Sequence, residues 1–231
     1  MKPILIKTKH EADTYDEAFM DVIEAEYSGM TRHMRMRLDN VRFLVDPQPG
    51  ERVHDIGCAT GAMAHYLSTF GCISSGSDIS AAGVERARAL YPDLEFDVAD
   101  AADLPYGDES FDKIVAADIT EHLPDDVLAG MFRECYRVLV PGGRLCIHTP
   151  NPRHLFERMK ESGLLLEQNP THIGLRTMDD LTAGLLDAGF AIELAAMRPG
   201  FVPGLTQAEK ALGRRWSLFQ YRICIRARRP T

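Results

Sequence analysis

No stretch of this 231-residue chain stays apolar for the roughly eighteen residues that a membrane span requires. The opening residues, MKPILIKTKHEAD, hold too short an apolar run for a secretory leader. Five cysteines, at 58, 72, 135, 146 and 224, are odd in number and scattered, and none forms a CxxC. That excludes a zinc ribbon and a disulfide frame, and a reduced, cytoplasmic setting is expected. An excess of basic charge is also missing: the net charge is −8, which disfavours binding to a nucleic-acid backbone. Repeats and low-complexity tracts are absent. Two arginine-rich stretches, TRHMRMRLDNVR (31–42) and YRICIRARRP (221–230), run against the acidic average and read as solvated faces.

What is present suits one α/β domain. Hydrophobic residues make up 45% of the chain and charged ones 26%. Tyr15, Phe19, Ile23 and Tyr27 are spaced by four, one stripe of a helix, and a second helix is expected over about 31–45. DPQPGE (46–51) breaks the chain. Short apolar strands follow near 52–56, 73–77, 94–98, 111–117 and 143–149, separated by helical spacing such as Met63, Tyr66, Leu67 and Phe70. Such alternation implies a parallel sheet with helices on both faces, with function at the carboxyl ends of the strands. Residues 150–176 carry prolines and histidines and read as a lid. Leu181, Leu185 and Leu186 mark a further helix with Gly189 at its end, and 190–197 reads as a strand. FQYRICIRA (219–227) alternates apolar and polar residues, as an antiparallel strand with one wetter face does. The expected division is cap helices 1–45, a core 46–149, a lid 150–176 and a closing part 177–231, all within one domain.

The stretch VHDIGCATGAMAHYL (53–67) admits two readings. Its His-Asp pair resembles the metal-binding pair of helical phosphohydrolases. Those sites need the pair on a helix, whereas here it has strand character and Gly57 follows at once. The other reading is a strand, a small-residue turn (Gly57, Ala59, Gly61) and a helix starting near Ala62. Small side chains admit a cofactor to the backbone. A dinucleotide dehydrogenase could begin this way too, but Asp55 would repel a pyrophosphate and suits a cofactor with a cationic amino-acid end. Asp78 ends the next strand, where a carboxylate can accept both ribose hydroxyls, and Asp100 ends the third. His54 is read as a core histidine.

Taken in order, VHDIGCATG, SGSDIS, DVADAADLPYGDESFDKIVAADITEHLPD, RVLVPGGRLCIHTPN and LLDAGF resemble a class I S-adenosylmethionine-dependent methyltransferase over about residues 40–198. The LP…SFD stretch and VLVPGG are typical of its small-molecule and quinone branch. The resemblance implies a Rossmann-like, seven-stranded, mostly parallel sheet with the last strand antiparallel. It also implies S-adenosylmethionine as cofactor. Asp55, Gly57, Ala59 and Gly61 would surround its methionine part, and Asp78 would hold the ribose. Ile79 would pack on the adenine, Asp100 and the Ala101 amide would read the adenine edge, and Asp118 would border the sulfonium. Ala59 stands where glycine is common.

Methyl transfer to a hydroxyl needs alignment and loss of a proton, so a base or a metal helps. In DITEHLPD (118–125), Asp118, Glu121 and His122 fall at i, i+3 and i+4 and would share one face of a helical turn. With His172 of NPTHIG they resemble the acid-x-x-Glu-His plus distant His of ubiquinone-pathway O-methyltransferases and of small-RNA 3′-end 2′-O-methyltransferases. Asp118 replaces the glutamate common at the first position. Glu121, His122 and His172 are therefore the catalytic expectation. A divalent ion on Asp118, Glu121, His122 and His172 is an open alternative. His148 is a lesser base candidate, His154 reads as lid surface, and Arg32, Arg35 or Arg37 could meet an acidic acceptor. A small-molecule hydroxyl acceptor is expected and nucleic acid is not. An RNA 2′-O-methyltransferase and a non-catalytic S-adenosylmethionine-binding protein are the alternatives.

Overall fold

Thr31 opens the first well-defined helix, α1 (Arg32–Val45), its hydroxyl accepting the Met34 amide at 3.2 Å. The structure, a computed structural model, describes residues 20, 21, 24, 31–161, 171–198 and 221–231. The expected stripe Tyr15–Tyr27 and residues 219 and 220 of the last expected strand lie outside the described residues.

From α1 the chain runs through β1 (Arg52–Ile56), α2 (Ala62–Ser68), β2 (Ile73–Asp78), α3 (Ala81–Leu90), β3 (Glu95–Val98) and β4 (Phe111–Ala117). A 3₁₀ turn (Thr120–His122) leads to α4 (Asp125–Val138), β5 (Leu139–Pro150), α5 (Leu155–Glu161), α6 (Met178–Asp187), β6 (Ala191–Arg198) and β7 (Arg222–Arg228). The strands form one seven-stranded sheet in the order β3-β2-β1-β4-β5-β7-β6. β1 to β5 pair in parallel, whereas β7 runs antiparallel to both of its neighbours. The Rossmann-like sheet with an antiparallel last strand is therefore as expected. β5 begins earlier than expected because Leu139 already pairs with Phe111; the register then shifts before Arg144 joins Lys113.

Alternation along the strands sorts the core into two layers. Ile56, Ile114, Leu145, Ile147, Ile223 and Ile225 meet Met131 and Phe132 of α4 and Leu181 and Leu185 of α6. On the other face Val53, Val115, Cys146 and Cys224 meet Leu38, Val41 and Leu44 of α1 and Met63 and Leu67 of α2. α1 closes its C-terminus on the tail: Arg226 Nε and Nη2 donate to the Leu44 and Phe43 carbonyls at 2.6 and 2.7 Å. Arg229 likewise donates to the carbonyls of Tyr136, Arg137 and Leu139. The tail arginines are thus not a solvated face; they satisfy helix-end and loop carbonyls. Among the described residues no helix is long and apolar enough to cross a membrane.

Candidate active site

The carboxyl ends of β1, β2, β3 and β4 carry the four acids singled out above. Between β1 and α2 the chain passes Gly57 at φ +74°, Ala59 at +46° and Gly61 at +82°. These are left-handed conformations in which glycine is least strained. Packing adds a second reason for two of the small residues. A Cβ on Gly57 would lie 2.7 Å from Ile119 Cδ1, and one on Gly61 2.7 Å from Phe96 Cζ. The turn is therefore pressed against the loop after β4 and against β3.

Asp55 is buried, and that burial pushes its carboxyl up to about 8 against the pull of Arg37. Asp78 holds two loops at once: Oδ2 accepts the Ala59 amide at 2.8 Å and Oδ1 the Ser80 amide at 2.9 Å. Ile79 follows it, half-buried. Asp100 is exposed and accepts the Ala102 amide at 2.9 Å, while Ala101 beside it is buried.

Asp118 ends β4 as expected but does not join the Glu121–His122–His172 group. Its φ is +58°, and its amide donates to the His148 carbonyl at 2.7 Å, which turns the chain out of β4. The carboxylate is clamped, with Oδ2 2.8 Å from Arg37 Nε and Oδ1 2.6 Å from Arg222 Nη1. His148 Nδ1 stands 3.6 Å from the same Oδ1. Burial opposes its ionisation, but Arg222 and Arg37 hold the carboxyl well below the usual range. A carboxylate committed to two guanidiniums is a poor metal ligand. Asp118 does not share a face with Glu121 and His122, because a 3₁₀ turn entered from a left-handed residue replaces the expected α-helical turn.

Glu121, His122 and His172 do come together. Their ligand-bearing atoms all lie within 4.8 Å of one another, the only such metal-competent group among the described residues. Glu121 is buried and accepts the Thr149 hydroxyl at 3.0 Å; burial and the nearby Asp118 carboxylate push it up to about 8. His122 Nδ1 lies 3.0 Å from the Thr171 carbonyl oxygen. A carbonyl only accepts, so that nitrogen carries the proton and Nε2 holds the lone pair of the neutral ring. The two imidazoles meet edge to face, with centroids 5.0 Å apart.

The other histidines fall into place. His54 is fully buried, with Nδ1 2.8 Å from Ser75 Oγ, Nε2 2.9 Å from Ser77 Oγ and its ring stacked on Phe111. Burial lowers it to about 3, so it is a neutral core residue. His154 is not lid surface: it is buried, edge-on to Tyr221. Of the three arginines considered for an acidic acceptor, Arg32 and Arg35 are exposed, and only Arg37 turns toward the strand ends.

Known proteins resemble the chain in sequence and fold. The family described as "Methyltransferase domain" matches residues 54–147. The methyltransferase GfsG of Streptomyces halstedii is 36% identical over 139 residues, which is 57% of this chain and 47% of that protein. The 27-O-demethylrifamycin SV methyltransferase of Amycolatopsis mediterranei is 34% identical over 171 residues, 68% of this chain and 60% of that one. Over its core the chain is similar to S-adenosylmethionine-dependent methyltransferases. It spans about half to three-fifths of the length of these two methyltransferases. In fold it also resembles the solved S-adenosylmethionine dependent methyltransferase of Mesorhizobium loti, with a TM-score of 0.63 at 21% identity, covering 82% of this chain and 95% of that one.

The cofactor that this similarity implies is S-adenosylmethionine, and the donor set at the strand ends fits it. A buried carboxyl raised by desolvation, as Asp55 is, gains from an incoming ammonium group, and Asp78 stands at the end of β2, where a carboxylate can accept from hydroxyls. The residues that sequence reasoning missed at this site are Arg222 and Arg176. Arg222 was hidden by its alternation with apolar neighbours, which suggests a wet face; α1 covers that face instead. Arg176 Nη1 and Nη2 reach the Thr120 and Leu123 carbonyls, each at 2.7 Å, a long-range contact with no sequence signature.

Proposed function

We propose that this chain transfers a methyl group from S-adenosylmethionine to a hydroxyl oxygen of a small molecule. The observation that supports the reading is the convergence of Glu121, His122 and His172 beside the Asp55–Gly61 loop, at the end of β4. Bound S-adenosylmethionine supplies an electrophilic methyl carbon on a sulfonium. Asp55 neutralises the cationic amino-acid end, and Gly57, Ala59 and Gly61 give its backbone room. Asp78 accepts the ribose hydroxyls, Ile79 covers the adenine, and Asp100 with the Ala101 amide meets the adenine edge. Asp118, clamped by Arg37 and Arg222, keeps a fixed negative charge near the sulfonium without moving.

The acceptor oxygen attacks the methyl carbon in line as the carbon–sulfur bond breaks, and its proton must leave. His122 Nε2 is aimed for that task by the Thr171 carbonyl on Nδ1, and His172 is its alternate. Glu121, raised by burial, is poised to share or store a proton.

One carboxylate and two imidazoles also form a donor set that divalent ions take. Metal bonds to these atoms are about 2.0–2.2 Å long, so donors on opposite sides of an ion stand about 4.4 Å apart at most. The group, spread over no more than 4.8 Å, therefore fits after a small contraction. Such an ion would acidify the acceptor hydroxyl. Glu121, His122 and His172 would hold it, and Asp118 would not.

The relative that acts on 27-O-demethylrifamycin SV favours an oxygen acceptor on a small molecule by similarity. The test is methyl transfer by His122→Ala and His172→Ala, each with and without chelator. Full activity in both variants removes the mechanism, and chelator sensitivity of the unaltered protein separates metal from simple base.

A further inference from the structure

The residues that make up the Glu121–His122–His172 group come from two separate segments, the turn after β4 and the stretch that precedes α6. We infer that Arg176 is the positioning residue that assembles this group by fastening one segment to the other. Nη1 donates to the Thr120 carbonyl at 2.7 Å, and Nη2 to the Leu123 carbonyl at 2.7 Å. These are the carbonyls on either side of the Glu121–His122 pair. Nη1 also donates to the Gly174 carbonyl of its own segment at 2.7 Å. The guanidinium is anchored from outside by Asp125, whose Oδ1 lies 2.6 Å from Nη2 and 3.1 Å from Nε. The Gly174 amide in turn donates to the Glu121 carbonyl at 3.0 Å. Three consecutive-turn carbonyls, those of Thr120, Glu121 and Leu123, are thus all taken by residues 174–176.

The result reaches both imidazoles. With the segments fastened, the Thr171 carbonyl stands against His122 Nδ1, and His172 follows directly in the chain. Arg176 therefore acts through the backbone carbonyls of both segments. An arginine suits this task because its planar fork spends five fixed donors on acceptors spread around one plane; lysine has a single point to offer. Gly174 is matched to it. A Cβ there would fall 2.6 Å from Arg176 Nη1, and the guanidinium, tethered on four sides, has nowhere to retreat.

This inference rests on reading the group as the site that activates the acceptor, and its test keeps the two apart. Long-range proton–nitrogen NMR of the histidine side chains reports the His122 tautomer with no acceptor or metal present. The unaltered protein should show His122 protonated on Nδ1. Arg176→Gln and Gly174→Ala should each move His122 toward the Nε2-protonated form that free imidazole favours. Their affinity for S-adenosylmethionine should stay within about twofold, and Arg176→Lys should fall between. With an acceptor in hand, kcat should fall at least tenfold while the KM for S-adenosylmethionine holds. An unchanged His122 tautomer in Arg176→Gln and Gly174→Ala overturns the inference whatever happens to turnover. A shifted tautomer with full activity in His122→Ala and His172→Ala upholds the positioning role and sinks the site reading instead. Should Arg176→Gln not fold, Asp125→Asn removes the exposed anchor alone and should give the same shift, smaller in size; no shift there overturns the inference.

Discussion

Asp118 and Arg222 meet at 2.6 Å, 104 residues apart in the chain, and Arg37 closes the other side of the same carboxylate at 2.8 Å. One acid thus ties α1, the end of β4 and the start of β7 together at the mouth of the site. Two guanidiniums that share one carboxylate depend on it. Removing the acid takes the shared carboxylate from two guanidiniums at once, a loss of about 3–5 kcal/mol. Asp118→Asn preserves shape and tolerates the left-handed backbone, so the expected loss is electrostatic. Urea unfolding checks it; a loss under about 1 kcal/mol would show that the clamp is ornamental to stability.

Asp55 makes cofactor binding pH-dependent. Its folded pKa of about 8 lies above the unfolded value of 3.8, so its contribution to stability is full below about 4 and is lost as pH rises through 8. An ammonium group bound beside it reverses the preference and expels the proton. The affinity for S-adenosylmethionine should therefore rise by up to about tenfold per pH unit well below 8 and fall again above it, where the ligand's α-ammonium loses its own proton. Asp55→Asn should bind more weakly and without that slope. Titration calorimetry over about pH 6–9 reads both, and a flat profile for the unaltered protein contradicts the assignment.

His54 carries the opposite sign. Its folded pKa of about 3 lies below the unfolded 6.5, so stability is full above 6.5 and falls as pH drops toward 3. The expected slope is about 1.4 kcal/mol per pH unit from this group. His54→Phe keeps a ring on Phe111 and removes the titration. Its acid unfolding between about pH 6 and 4 should be shallower, with methyl transfer unaltered. Loss of methyl transfer in a folded His54→Phe would restore the metal-pair reading of the His-Asp dipeptide.

The sheet and the family resemblance were legible because both depend on local pattern. Apolar runs of strand length, helical spacing between them and acids at successive strand ends are all carried by neighbouring residues. What escaped depends on the third dimension. Asp118 at i with Glu121 and His122 at i+3 and i+4 predicts a shared face only if the turn is α-helical, and a left-handed residue at its start sends the acid elsewhere. Arg222 looked solvated because alternation says which residues share a face, not what covers it. His154 looked like lid surface for the same reason: its cover is Tyr221, far along the chain.

Glu121 and the two histidines should act as a unit. His122→Ala and His172→Ala are each expected to lower kcat by about 10²–10⁴-fold. The double variant should cost little more than the worse single one, the non-additivity of residues that serve one step. Additive losses would mean that the rings act separately.

The most direct test follows methyl-labelled S-adenosylmethionine with a panel of hydroxylated small molecules, comprising phenols, catechols, polyketide alcohols and sugars, using the unaltered chain and the His122→Ala, His172→Ala double variant. The account predicts label on an oxygen atom of at least one acceptor class, lost in the double variant while S-adenosylmethionine still binds. Label on nitrogen or carbon, or transfer to oxygen at an unaltered rate in the double variant, would contradict it.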